Sequence, residues 1–210
     1  MIGTRVHPPR RRARTATRTA GAVVLVALLA GCGNDQPAPL HEGTPGAAPA
    51  DGLARIVDLA AERAEMSDRV AAAAFAAGAP AADPAREAAV VAGMREEARR
   101  ADVDPEWAAR VAGDQVAAEA QVRDALVRGW TDRPDTAPAG GADPAAPDPE
   151  IDRIDGELVA ALRTATPARA HEDCASTLAQ AAVTRARGMD DLHRAALGAA
   201  LRSVCDGAGD

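Results

Sequence analysis

From Asp51 to Ala77 the apolar residues Leu53, Ile56, Val57, Ala60, Ala64 and Val70 recur every three or four positions along one stripe. That spacing predicts a long amphipathic helix, and Gly78 followed by Pro80 stops it. The segment "ADPARE" starts a second helix, with Asp83 as N-cap and Pro84 in the first helical position. Val90, Val91, Met94 and Ala98 carry its apolar face to about Ala101. "DPEW" at Asp104–Trp107 repeats the same device and opens a third helix, expected to run to about Trp130. Residues 131–148 are a connector rich in Pro, Gly and Ala. After it the pattern predicts three shorter helices, near 149–165, 172–187 and 189–204, with "GMDD" breaking the last two.

Composition supports an all-α fold and narrows what its core can be. Phe75, Trp107 and Trp130 are the only aromatic residues, so the core is built mainly from Ala, Leu, Val and Ile. Small side chains bury little area each, at about 25 cal/mol per Å2, and so favour closely packed helices. Strand formers are scarce, and Ala is the strongest helix former. The expectation is a single six-helix domain with one long N-terminal helix, spanning residues 51–205 with a short tail at 206–210. No internal repeat, phosphate-cradling Gly loop or Ser/His/Asp arrangement is evident.

The first 31 residues read as a leader. Arg5, Arg10, Arg11, Arg12, Arg14 and Arg18 precede the apolar run "AGAVVLVALLAG", which ends at Cys32. The run is too short to span a bilayer, which takes roughly 20 residues, and suits the apolar region of a signal peptide. Leu29-Ala30-Gly31-Cys32 resembles a bacterial lipobox, so Cys32 is expected to carry lipid and residues 32–50 to form a tether. A plain signal peptide with a bystander cysteine is the alternative. Removing residues 1–31 takes away six positive charges and no negative ones, moving the formal charge from −7 to −13. An acidic domain with so few aromatics does not suit nucleic acid, and membrane attachment would rest on the Cys32 lipid.

With Cys32 assigned to lipid, Cys174 and Cys205 remain and are expected to form a disulfide outside the cytoplasm. A metal site is the rival use, since His171 and Cys174 lie three residues apart. No second close pair of ligands accompanies them, so no metal is expected. His41 and His193 read as surface residues.

The order of "DLAAERAEMSDRVAAA", "GAPAADPARE" and "DVDPEWAARVAGDQVAAEAQVRDALVRGW", followed by "IDRIDGELV" and two late cysteines, resembles the secreted, all-helical chorismate mutases of the gamma subclass. The resemblance covers about residues 51–205. It implies rearrangement of chorismate to prephenate with no cofactor and no covalent intermediate, and a homodimer. Arginines suit such a substrate, because a guanidinium fork grips carboxylates bidentately. As the ether C–O bond breaks, a fixed cation beside its oxygen lowers the barrier, and holding the compact reactive conformer contributes further.

Carried onto this chain, the family pattern assigns Arg63 to a substrate carboxylate and places Asp83 and Arg86 at the start of the second helix. Asp83 alone is equally well explained as an N-cap, and either arginine as a solvated side chain. Other positions depart from the family. Its lysine directed at the ether oxygen, eleven residues after the first arginine, is Ala74 here. Eleven residues make about three helical turns, so positions 63 and 74 share a face. The family's glutamine is Val90, its small polar residue and Glu or Gln on the third helix are Glu119 and Arg123, and the arginine ahead of the fourth helix is Asp148. Either Arg123 supplies the missing cation opposite Ala74, or Glu119 and Arg123 form an i, i+4 surface pair worth about 0.3–0.5 kcal/mol.

The chain thus reads as an exported chorismate mutase with a weakened site. The alternatives are an inactive lipoprotein relative that binds a ligand or protein through the same scaffold, and an unrelated structural helical lipoprotein.

Overall fold

The structure is a computed structural model that describes residues 50–80, 82–138 and 149–207. The readings placed on Cys32, His41, Asp148, the leader and the tether lie outside these residues. The described residues form six α-helices and one 3-10 turn, with no strand among them. They are α1 (Ala50–Ala77), α2 (Pro84–Arg100), α3 (Pro105–Asp132), the turn Pro134–Thr136, α4 (Pro149–Arg169), α5 (Cys174–Arg185) and α6 (Asp191–Ala200). The first helix is long as expected, but α3 equals it at 28 residues. No described helix is long and apolar enough to cross a membrane.

Local chemistry fixes the helix ends. Asp83 accepts a hydrogen bond from Arg86 N at 3.1 Å, and Asp104 accepts from Glu106 N and Trp107 N at 3.0 and 3.1 Å. Each side chain satisfies donors that a helix start leaves open. Gly78 has φ +62°; Ala79 N bonds to Ala74 O at 2.9 Å and Gly78 N to Phe75 O at 3.1 Å. This paired closure needs a residue comfortable in the left-handed region, which glycine supplies. α4 runs to Arg169, past the expected end near 165 and through Pro167.

α1 is the central helix and packs against α3, α4, α5 and α6. Leu53, Ile56, Val57, Ala60 and Ala64 are buried as the stripe predicts, with Ser67 in line with them, and so are Leu59, Ala61 and Met66 on other sides. A helix surrounded by partners buries nearly its whole girth rather than one face. Its approach to α4 is close enough to need Gly52: a Cβ there would lie 2.6 Å from Ala165 N.

Trp107 anchors the C-terminal part of the domain. Its ring is fully buried, and its Nε1 donates to the carbonyls of Ser203 and Val204 at 3.1 and 3.2 Å. Arg169 lies 4.5 Å over the ring and pairs with Asp104 at 3.1 Å, a stacked cation that adds to the anchor. The Cys174–Cys205 disulfide closes the same C-terminal region, as the cysteine count predicts. His171 Nδ1 accepts from Asp173 N at 3.1 Å.

His193 is a correction. It is buried, with Nδ1 2.8 Å from Asp190 and Nε2 3.1 Å from Asp68. Asp190 caps α6 through His193 N, so the ring ties that helix start to α1. A lone histidine in sequence gives no sign of two carboxylates, one of them 125 positions away.

Candidate active site

Four helices each turn one stripe of side chains toward a common cavity of about 740 Å3. α1 contributes Arg63, Val70 and Ala74, three residues that a helix stacks on one side. The N-terminal turns of α2 bring Asp83, Arg86, Glu87 and Val90, α3 brings Val116, Glu119 and Arg123, and α4 brings Ile151, Asp152 and Asp155. The Ala79–Pro80 corner, set by the Gly78 turn, forms part of the rim.

Every described residue that the sequence singled out as catalytic, substrate-binding or altered is in this cavity. Arg63, Arg86 and Arg123 line it together with Asp83, Glu119, Ala74 and Val90. Asp83 is therefore both an N-cap and a lining residue. The surface-pair reading of Glu119 and Arg123 fails, because both side chains are buried. An i, i+4 pair looks the same in sequence whether its helix face meets water or protein.

The charged groups form one chain across the four helices. Arg63 is only 3 % exposed; its Nη2 donates to Asp155 and its Nη1 to Glu119 at 3.3 Å. The other oxygen of Glu119 accepts from Arg123 Nη1 at 2.6 Å. Arg123 Nη2 donates to Glu87 at 2.7 Å. The order Asp155, Arg63, Glu119, Arg123, Glu87 alternates sign from α4 through α1 and α3 to α2. Burying these arginines costs solvation, and the alternating carboxylates offset it. Burial pushes the Asp155 carboxyl above its ordinary value; Arg63 opposes this, while Glu119, Glu97 and Asp152 reinforce it.

Glu87, Asp152 and Asp155 are lining residues that sequence reasoning missed. Glu87 directly follows Arg86, and Asp152 and Asp155 flank Arg153 and Ile154 in "IDRIDG". Their spacing placed them near the cavity-facing stripes. Nothing local indicated that Asp155 meets an arginine 92 positions earlier. Among the described residues no group of three or more His, Cys, Asp or Glu side chains is placed to hold a metal ion.

Arg63 and Arg123, buried at a cavity of this size and paired with carboxylates, suit a small polycarboxylate ligand. The family model for chorismate mutase type II matches residues 54–121, a span that includes Arg63 and Glu119 and ends just before Arg123. The secreted chorismate mutase of Mycobacterium tuberculosis is 32% identical over 166 residues, covering 77% of this chain and 83% of that protein. That of Mycolicibacterium smegmatis is 32% identical over 186 residues, covering 88% and 98%. The crystal structure of chorismate mutase from Burkholderia phymatum is similar at a TM-score of 0.69 and 30% identity, covering 77% of this chain and 100% of that one. That from Burkholderia thailandensis gives 0.66 and 33%, covering 73% and 99%. Similar in sequence to secreted chorismate mutases along most of their length, and folded like solved ones, the chain belongs to the chorismate mutase family.

Proposed function

We propose that the chain is an exported chorismate mutase that isomerises chorismate to prephenate with an altered, weakened site. The observation that carries this reading is the convergence of Arg63, Arg86 and Arg123 on one cavity beside Ala74. The reaction breaks the ether C–O bond, forms one C–C bond, and needs neither cofactor nor covalent intermediate. Arg63 and Arg86 grip the two substrate carboxylates and hold the folded conformer. Arg123, held from two sides by Glu119 and Glu87, presents its cation to the ether oxygen from α3, in the space that the short side chain of Ala74 leaves. Glu119 sets the spacing of Arg63 and Arg123, and Asp83 offers an acceptor to a substrate hydroxyl.

Export follows from the arginine-rich leader and apolar run ahead of Cys32, and relatives named as secreted proteins support it. Cys32 carries the lipid that holds the domain at the outer face of the cell membrane, and the gamma-subclass resemblance favours a homodimer. Loss of chorismate, followed with purified, disulfide-bonded protein, tests the reading. Turnover that rises on Ala74→Lys supports a site short of one cation. Absence of turnover in both proteins overturns the assignment and leaves a binding role.

A further inference from the structure

Both terminal nitrogens of Arg63 already face protein carboxylates. Nη2 donates to Asp155 and Nη1 to Glu119, while Nε is buried with no hydrogen-bond partner. A carboxylate seeking a bidentate grip on the fork meets one of these two holders at the nitrogen it must share.

The two holders are not equally replaceable. Glu119 is shared with Arg123 at 2.6 Å and its side chain is 8% exposed. Asp155 has Arg63 as its hydrogen-bond partner, sits at the cavity wall, and keeps 22% of its side-chain surface open. The other charges facing it are mostly of its own sign: Glu119 from α3, Glu97 from α2 and Asp152 on its own helix, against Arg63 from α1. Without Arg63, Asp155 is a half-buried carboxylate among three others, and such a group takes up a proton.

We infer that Asp155 is a displaceable counter-ion of Arg63: a substrate carboxylate takes its place on the guanidinium, and Asp155 takes up a proton as it leaves. Asp155 is then a positioning residue that keeps Arg63 extended into the cavity and ties substrate affinity to pH. The inference rests on the chorismate mutase reading for its ligand. The proton changes no bond in the substrate; it enters from solvent and returns there when the product leaves.

The test compares the full chain with its Asp155→Asn variant, which keeps the side chain's size and acceptor oxygen but not its charge. For the wild type, the KM for chorismate is expected to rise between pH 6 and pH 8, by about tenfold per pH unit where one proton is linked. In the variant KM is flat over that range and about tenfold lower at pH 8, with kcat within about twofold. A variant KM at or above the wild-type value at pH 8 overturns the inference, since Asp155 would then only brace Arg63. Calorimetry of prephenate binding in two buffers of different ionisation enthalpy counts the proton without turnover. Uptake of about one proton at pH 8 is expected for the wild type and none for the variant. Zero uptake by the wild type overturns the inference even where the variant does not fold. Proton-linked prephenate binding in a protein without turnover would instead remove the mutase reading and leave Asp155 in its role.

Discussion

Replacing Arg123 with glutamine removes a charge while keeping most of the side-chain length, and so separates catalysis from packing. Two bonds disappear, to Glu119 at 2.6 Å and to Glu87 at 2.7 Å. Breaking a buried pair from one side costs about 3–5 kcal/mol, because the remaining carboxylate stays desolvated. Glu119 still has Arg63 and Glu87 is 27% exposed, so the low end, about 3 kcal/mol, is expected. At roughly 2–4 °C per kcal/mol for a domain of this size, the melting temperature falls by about 6–12 °C. If Arg123 faces the ether oxygen, kcat also falls by about 10^2–10^3, the loss of one preorganised donor. The double variant Arg123→Gln/Glu87→Gln separates the two effects, because it neutralises the carboxylate that the single variant strands while Glu119 keeps Arg63. Its melting temperature should return most of the way to wild type while kcat stays low. Initial rates of chorismate loss and thermal melts on the same preparations provide the comparison. A double variant with wild-type kcat would refute the role given to Arg123 and leave it a structural pair.

Other regions yield separate outcomes. Gly52→Ala puts a Cβ 2.6 Å from the backbone of Ala165, where no side chain can yield; overpacking of about 1–3 kcal/mol should appear as a lower melting temperature, and an unchanged melt would refute the tight α1–α4 contact. The disulfide closes a loop of 31 residues, so reduction should destabilise the folded domain by about 3–4 kcal/mol, read as a lower denaturant midpoint. For His193, burial lowers the ring's affinity for a proton, but the bond to Asp190 and the charges of Asp68 and Asp190 outweigh it, and the net shift is upward. Its stabilisation is therefore complete below the ordinary histidine value and lost as pH rises through the higher folded one. Wild-type melting temperatures should fall across that window relative to His193→Gln, and parallel curves would discard the clamp.

Helix identity and ends were legible because their causes are local. Asp83 with Pro84, Asp104 with Pro105, and Gly78 satisfy or close backbone groups within a few residues of themselves, so the chain need not be folded to see them. Local signals also misled. α4 is expected to end near 165 but continues to Arg169 through Pro167, with Ala165 and Ala168 both buried in the core. The resemblance carried Arg63, Asp83, Arg86, Ala74 and Val90 to one site, and periodicity placed positions 63 and 74 on one helix face.

What the sequence alone determined is thus an all-helical domain, its caps and breaks and its disulfide, and the resemblance pointed to arginines that the fold brings to one cavity. The tertiary structure decided which charges meet. Arg63 lies 56 positions from Glu119 and 92 from Asp155, and Arg123 lies 36 from Glu87. Pairings over such separations depend on how α1, α2, α3 and α4 pack, and a charged residue looks alike in sequence whether water or another helix faces it. Burial turned Glu119 and Arg123 from an ordinary helical pair into the centre of the site, because desolvated charges must find partners while exposed ones need none.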